Sequence, residues 1–135
     1  MRLRSDFELP ESDRLFLGTM PNRWEAVNDG GSRWVLIHGY EPPDGYQPSP
    51  VSVGLLIPPG YPDVQLDMFY FRPALSRLDG KVINALSNHP ICAEQWQRWS
   101  RHRTASNPWR PGHDDLSTHL LLMRGLLERE FARLN

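Results

Sequence analysis

An α+β fold, built as a four-stranded antiparallel meander with a long helix packed on it, is what this sequence predicts. Three observations carry that prediction. Four short β-rich stretches follow one another between residues 23 and 71, each bounded by turn-forming residues. Residues 114–134 carry apolar side chains at steps of three and four. Between them, residues 72–112 lose their periodicity while gathering reactive and aromatic side chains.

Residues 1–14 mix charges with Pro10 and read as an arm or a short helix. Arg23 to Asn28 reads as the first strand. Asn28-Asp29-Gly30-Gly31 ends it, because these residue types tolerate positive φ and so make a hairpin turn. Arg33 to Tyr40 follows, with Trp34, Val35 and Ile37 suited to a pleated surface. Four Pro and one Gly between Glu41 and Pro50 exclude regular structure there. In the third strand, Val51 to Ile57, Val51, Val53, Leu55 and Ile57 alternate onto one face. After Pro58-Pro59-Gly60-Tyr61-Pro62, the fourth strand is expected from Val64 to Phe71, with both faces covered. Ala74 to Leu86 reads as a short strand or a helical turn, and Ala93 to Arg103 as one or two helical turns. The final helix presents Leu116, Leu120, Met123, Leu127, Phe131 and Leu134 as one apolar stripe, which one face of the sheet would cover. Asp114 or Asp115 would cap its first turn.

A chain of 135 residues is one domain by size and long enough for a real core. The formal net charge of -1 gives no global attraction to nucleic acid or to an anionic membrane. No apolar run is long enough to span a bilayer, and the chain opens on no signal-peptide pattern. A single Cys excludes an internal disulfide framework, so a cytoplasmic location is expected. One Cys and five scattered His show no paired metal-ligand spacing, and no phosphate-cradling Gly-rich loop or nucleophile elbow is present. The expectation is therefore no metal and no cofactor. Lys81 is the only lysine among fifteen basic residues, which would limit self-modification by lysine-directed acyl chemistry.

The densest stretch is His89–Leu116, with three Trp, four Arg, three His, two Ser and the Cys. Irregular backbone held by a scaffold is where soluble domains place their chemistry. Interleaved Trp and Arg over residues 96–110 also suit base stacking, but the neutral charge balance argues against nucleic acid. Trp96, Trp99 and Trp109 are most simply core anchors. His38, His89 and His119 read as structural.

Three landmarks then occur in a familiar order: Pro59-Gly60-Tyr61-Pro62, His89-Pro90 and Trp109-Arg110-Pro111. With the first of them between the third and fourth strands and the last just before the helix, the chain resembles the ubiquitin-conjugating enzyme (UBC) superfamily over roughly residues 20–135, and specifically prokaryotic UBC family E. The resemblance implies a UBC-like fold and an acyltransferase. Such a protein accepts the C-terminal acyl group of a ubiquitin-like protein from an activating enzyme and passes it to an amine. It also implies a bacterial operon, associated with antiviral or stress functions, that encodes those partners and a JAB-type peptidase.

In typical relatives the nucleophilic Cys lies about ten residues after the His and about eight before the Trp. Cys92 is three after His89 and seventeen before Trp109, whereas Ser100 is eleven after and nine before. The spacing thus points to Ser100 as the nucleophile, forming an oxyester, with a thioester on Cys92 as the other possibility. Ile91 replaces the family's Asn. A Ser hydroxyl needs a base, for which His102 and His113 are the candidates, oriented by Asp114 or Asp115. Arg101, Arg103 and Arg110, with Trp109, would stabilise an oxyanion or hold the partner's carboxyl tail. The alternative is a catalytically inactive UBC-fold module that binds a ubiquitin-like protein or its activating enzyme.

Overall fold

A computed structural model of the chain describes residues 2–132. An extended N-terminal arm opens it. Asp6 N–H donates to the Ala26 carbonyl (2.8 Å) and Ala26 N–H to that of Arg4 (3.0 Å), which ties the arm to the sheet edge. Helix α1, Glu11–Thr19, follows Pro10. Pro fixes φ near the helical value and gives up only an N–H that a helix start leaves unused.

Strands β1 (Trp24–Asp29) and β2 (Ser32–Tyr40) form a hairpin with Gly30 at φ +61°. After the short β3 (Tyr46–Gln47) come β4 (Val51–Ile57) and β5 (Phe69–Arg72), then the short β6 (Ser76–Arg77), which pairs with β3 in a separate ribbon. The chain next forms β7 (Leu86–Ile91) and β8 (Glu94–Trp99), and ends in α2, Leu116–Glu130. The main sheet has the order β1-β2-β4-β5-β8-β7, with every pair antiparallel.

Alternation of side chains gives this sheet two apolar faces. Val35, Ile37, Val53, Leu55, Phe69, Phe71 and Trp99 pack on one side against Leu116, Leu120, Met123 and Leu127 of α2. Each such burial contributes roughly 1.5–3 kcal/mol. Val27, Trp34, Leu36, Tyr70, Ile91 and Trp96 form a second cluster on the other side, where Trp34 meets Tyr70 edge-on at 4.7 Å.

The α+β class, the antiparallel sheet and the C-terminal helix match the sequence expectation, and three details differ. The sheet has six strands, not four. Ala93 to Arg103 holds no helical turn, because Trp96 and Trp99 are buried on opposite faces of a strand. The fourth strand begins at Phe69, not Val64; the preceding residues are irregular, with only Leu66 fully buried. In α2, Asp115 is the cap: its carboxylate accepts from Thr118 N–H (3.2 Å) and Thr118 Oγ1 accepts from Asp115 N–H (2.9 Å), a reciprocal capping box. Leu134 of the expected stripe lies outside the described residues.

Candidate functional site

The segment rich in reactive side chains begins inside the β7–β8 hairpin, whose two ends hold the two candidate nucleophiles. At the tight end, Cys92 and Ala93 both have positive φ (50° and 65°) and link Ile91 directly to its partner Glu94. Two-residue hairpin loops of this kind match the twist of their strands. Cys92 N–H donates to Asp29 Oδ2 at 3.0 Å, and Arg4 Nη1 lies 3.5 Å from its Sγ. Six strand residues at about 3.4 Å each put Cys92 roughly 20 Å from the other end.

At the open end, Trp99 anchors the strand. Its ring is buried against Phe69 and Phe71, and its indole N–H donates to the Asn84 carbonyl at 3.2 Å. Ser100 follows. Its N–H donates to the Ala85 carbonyl, and the next N–H, of Arg101, turns back to Trp99 (both 3.0 Å). Arg101 stacks over Trp99 at 5.2 Å and pairs with the buried Glu130 of α2 at 2.9 Å. His102 Nδ1 lies 2.9 Å from both oxygens of Asp67, with side chains 57% and 35% exposed. A carboxylate only accepts, so Nδ1 carries the hydrogen. In the neutral ring Nε2 is then the lone-pair acceptor, the form a general base needs.

Arg103 turns inward instead. Its side chain is only 4% exposed, its guanidinium lies 4.8 Å over the Trp109 ring, and Asp114 is 3.7 Å away. Trp109 donates its indole N–H to the Pro62 carbonyl at 3.0 Å and packs beside Tyr61. Tyr61 donates to Asp13 Oδ2 (2.6 Å), while Asp13 Oδ1 accepts the first N–H of α2, from Leu116 (3.2 Å). Burial pushes the Asp13 carboxyl up, against the pull of these hydrogen bonds. Burial, and then Asp13, push the Tyr61 phenol up. The Pro-Gly-Tyr-Pro turn, α1, Trp109 and the start of α2 are thus one connected support for the segment leaving β8.

Arg110 N–H donates to Asp114 Oδ2 at 2.7 Å. Burial raises the Asp114 carboxyl, but this bond, Thr118 and the nearby Arg103 and Arg110 charges outweigh it and hold it below its usual value. His119, in α2, is stacked on Phe69 at 4.6 Å, with Nε2 3.1 Å from the Met68 carbonyl. Burial, with the Arg103 charge, lowers its pKa to about 4, so it is neutral packing near the site.

The structure brings Ser100, Arg101, His102 and Arg103 together, and joins Trp109 and Arg110 to them through Arg103 and Asp114. It does not bring Cys92 to them. Asp115 spends its carboxylate on Thr118 N–H and the Ser117 hydroxyl (2.6 Å) in the helix cap. Among the described residues, neither the Ser100 hydroxyl nor the His113 ring has a hydrogen-bond partner, and no group of three or more His, Cys, Asp or Glu is placed to hold a metal ion. Asp67 was missed by the sequence reading, since it lay within the expected fourth strand and pairs with His102 only through the fold. A pocket of about 340 Å³ opens between Arg103, Asn107 and Asp114 on one side and Thr118, Leu121 and Arg129 of α2 on the other.

Comparison with curated proteins and with solved structures returned no match. The family model described as prokaryotic E2 family E matches residues 9–130, a span holding α1, the whole sheet and all of α2. The matched span also includes the Pro-Gly-Tyr-Pro turn, both ends of the β7–β8 hairpin and Trp109, and on that match the chain belongs to prokaryotic E2 family E.

Proposed function

We propose that this protein is a conjugating enzyme of a bacterial ubiquitin-like pathway and carries the acyl group as an oxyester on Ser100. The observation that carries this reading is the His102–Asp67 pair, two residues beyond Ser100, with Nε2 left to take a proton. The Ser100 oxygen attacks the activated C-terminal carbonyl of the ubiquitin-like protein. The bond from that carbonyl to its carrier on the activating enzyme breaks. The hydroxyl proton passes to His102 Nε2 and then to the departing group. A serine needs such a base, and catalytic hydrogen bonds commonly tighten only once the partner is bound. Arg101 and Arg110 hold the partner's tail, Arg103 and Trp109 hold the loop, and a JAB-type peptidase reverses the product.

One observation favours a second reading, an inactive module that binds the ubiquitin-like protein or its activating enzyme: the Ser100 hydroxyl makes no hydrogen bond to an imidazole. The protein mixed with an activating enzyme, a ubiquitin-like protein and ATP separates the readings. An adduct that resists reductant, yields to mild base and is lost in Ser100→Ala supports the oxyester. A reductant-labile adduct lost in Cys92→Ala sinks it, and binding without any adduct selects the module.

A further inference from the structure

A second set of reactive side chains stands on the sheet face away from α2. Glu25 on β1, His38 on β2 and Ser52 on β4 lie side by side across three adjacent strands. His38 Nε2 is 2.7 Å from Glu25 Oε2, and His38 Nδ1 is 2.8 Å from the Ser52 hydroxyl. The register shift in β2 between Ile37 and Tyr40, with Gly39 at φ +71°, places the imidazole between its two partners. Asn22 Nδ2 donates to the His38 carbonyl at 2.8 Å, and Arg4 N–H donates to the other Glu25 oxygen at 3.1 Å. The Glu25 side chain is 9% exposed and that of His38 is 22% exposed, so the pair is fixed but reachable. A shallow pocket of about 290 Å³, lined by Pro21, Asn22, Arg23, His38 and Gly39, opens beside the ring.

A carboxylate accepts only, so in the neutral ring Nε2 carries the hydrogen and Nδ1 accepts the Ser52 proton. A nucleophile bonded to a base that a third group orients is the arrangement that activates a hydroxyl. Arg72 is the cross-strand partner of Ser52 and lies on the same face. One of its nitrogens is bound to Glu94 at 3.0 Å, which leaves other N–H groups to meet an oxyanion.

We propose that Ser52, His38 and Glu25 form a second nucleophilic centre that takes an acyl group from an activated ester. Ser52 Oγ bonds to the acyl carbon as His38 Nδ1 takes its proton, and Glu25 stays ionised against the imidazolium. The bond from the acyl carbon to the ester oxygen breaks, and the proton leaves with the departing alcohol. Water then releases the acid by the same route in reverse. This centre stands whether or not Ser100 carries an acyl group.

The test treats the full chain with 4-nitrophenyl acetate, follows nitrophenol release and maps the acetylated residue by peptide mass spectrometry. The expected result is an acetyl group on Ser52, with a release rate that falls at least ~100-fold in Ser52→Ala and about tenfold in Glu25→Gln. Glu25→Gln preserves the size of the side chain and removes its charge, so it decides the matter if Ser52→Ala fails to fold. Acetylation elsewhere with none on Ser52, or an unchanged rate in Glu25→Gln, overturns the proposal.

Discussion

The two ends of the β7–β8 hairpin each present a candidate nucleophile, and they are held in opposite ways. Cys92 occupies a closed turn whose backbone is fixed by positive φ and by the Asp29 carboxylate. Ser100 sits where the ladder stops and the backbone bends back on Trp99, followed at once by a carboxylate-bound imidazole. The closed turn sets Arg4 and Asp29 beside Cys92, while the strand exit sets the His102–Asp67 pair two residues beyond Ser100. Intrinsic reactivity favours the thiol. The imidazole beside the strand exit favours the hydroxyl, and on that ground Ser100 is the proposed carrier.

The largest expected effect on that contrast comes from the anchor of the open end. Trp99→Ala should cost about 3–5 kcal/mol in a denaturant melt, because a fully buried indole leaves a cavity. A loss under 1 kcal/mol would mean that the exit of β8 is not held as described.

Next is the pH dependence of the support behind that end. His119 ordinarily titrates near 6.5 and in the fold near 4, so the unfolded chain takes up the proton first. Stability should therefore be full above pH 6.5 and fall as pH drops toward 4, by up to about 3 kcal/mol from this residue. The difference between wild type and His119→Gln isolates it, since the carboxylates titrate in both. Equal pH slopes would contradict the buried neutral ring.

The chemistry of the open end is probed by His102→Ala, expected to slow oxyester formation about 100-fold in a single-turnover assay while leaving partner binding intact. A rate unchanged in that variant would remove His102 as the base. The closed end gives the smallest effect. Ala93→Gly should raise stability by about 0.5–1 kcal/mol, because Gly holds a φ of 65° without the penalty a Cβ brings. A melt showing destabilisation would contradict the turn geometry.

Much of this was legible before the fold was known. The alternation in Val51 to Ile57, the Asn-Asp-Gly-Gly turn and the apolar stripe from Leu116 to Leu127 are local patterns that one face of burial imposes, and each appears where expected. The β7–β8 hairpin was hidden because β7 is a mostly exposed edge strand carrying Pro90, and its turn is Cys-Ala rather than a Gly- or Asn-bearing pair. Of the six residues of β7 only Ile91 is buried, so no alternation of apolar residues marks it. Ser100, Arg101 and His102 could be read as neighbours in sequence. The partnership of His102 with Asp67 across 35 positions, like the Glu25–His38–Ser52 row, exists only once strands are paired.

The most direct test of the central claim is to isolate the ATP-dependent adduct with the ubiquitin-like protein, digest it and sequence the joined peptide by mass spectrometry. The expected peptide carries the ubiquitin-like C-terminus in ester linkage to Ser100. A C-terminus joined to Cys92 instead would contradict it.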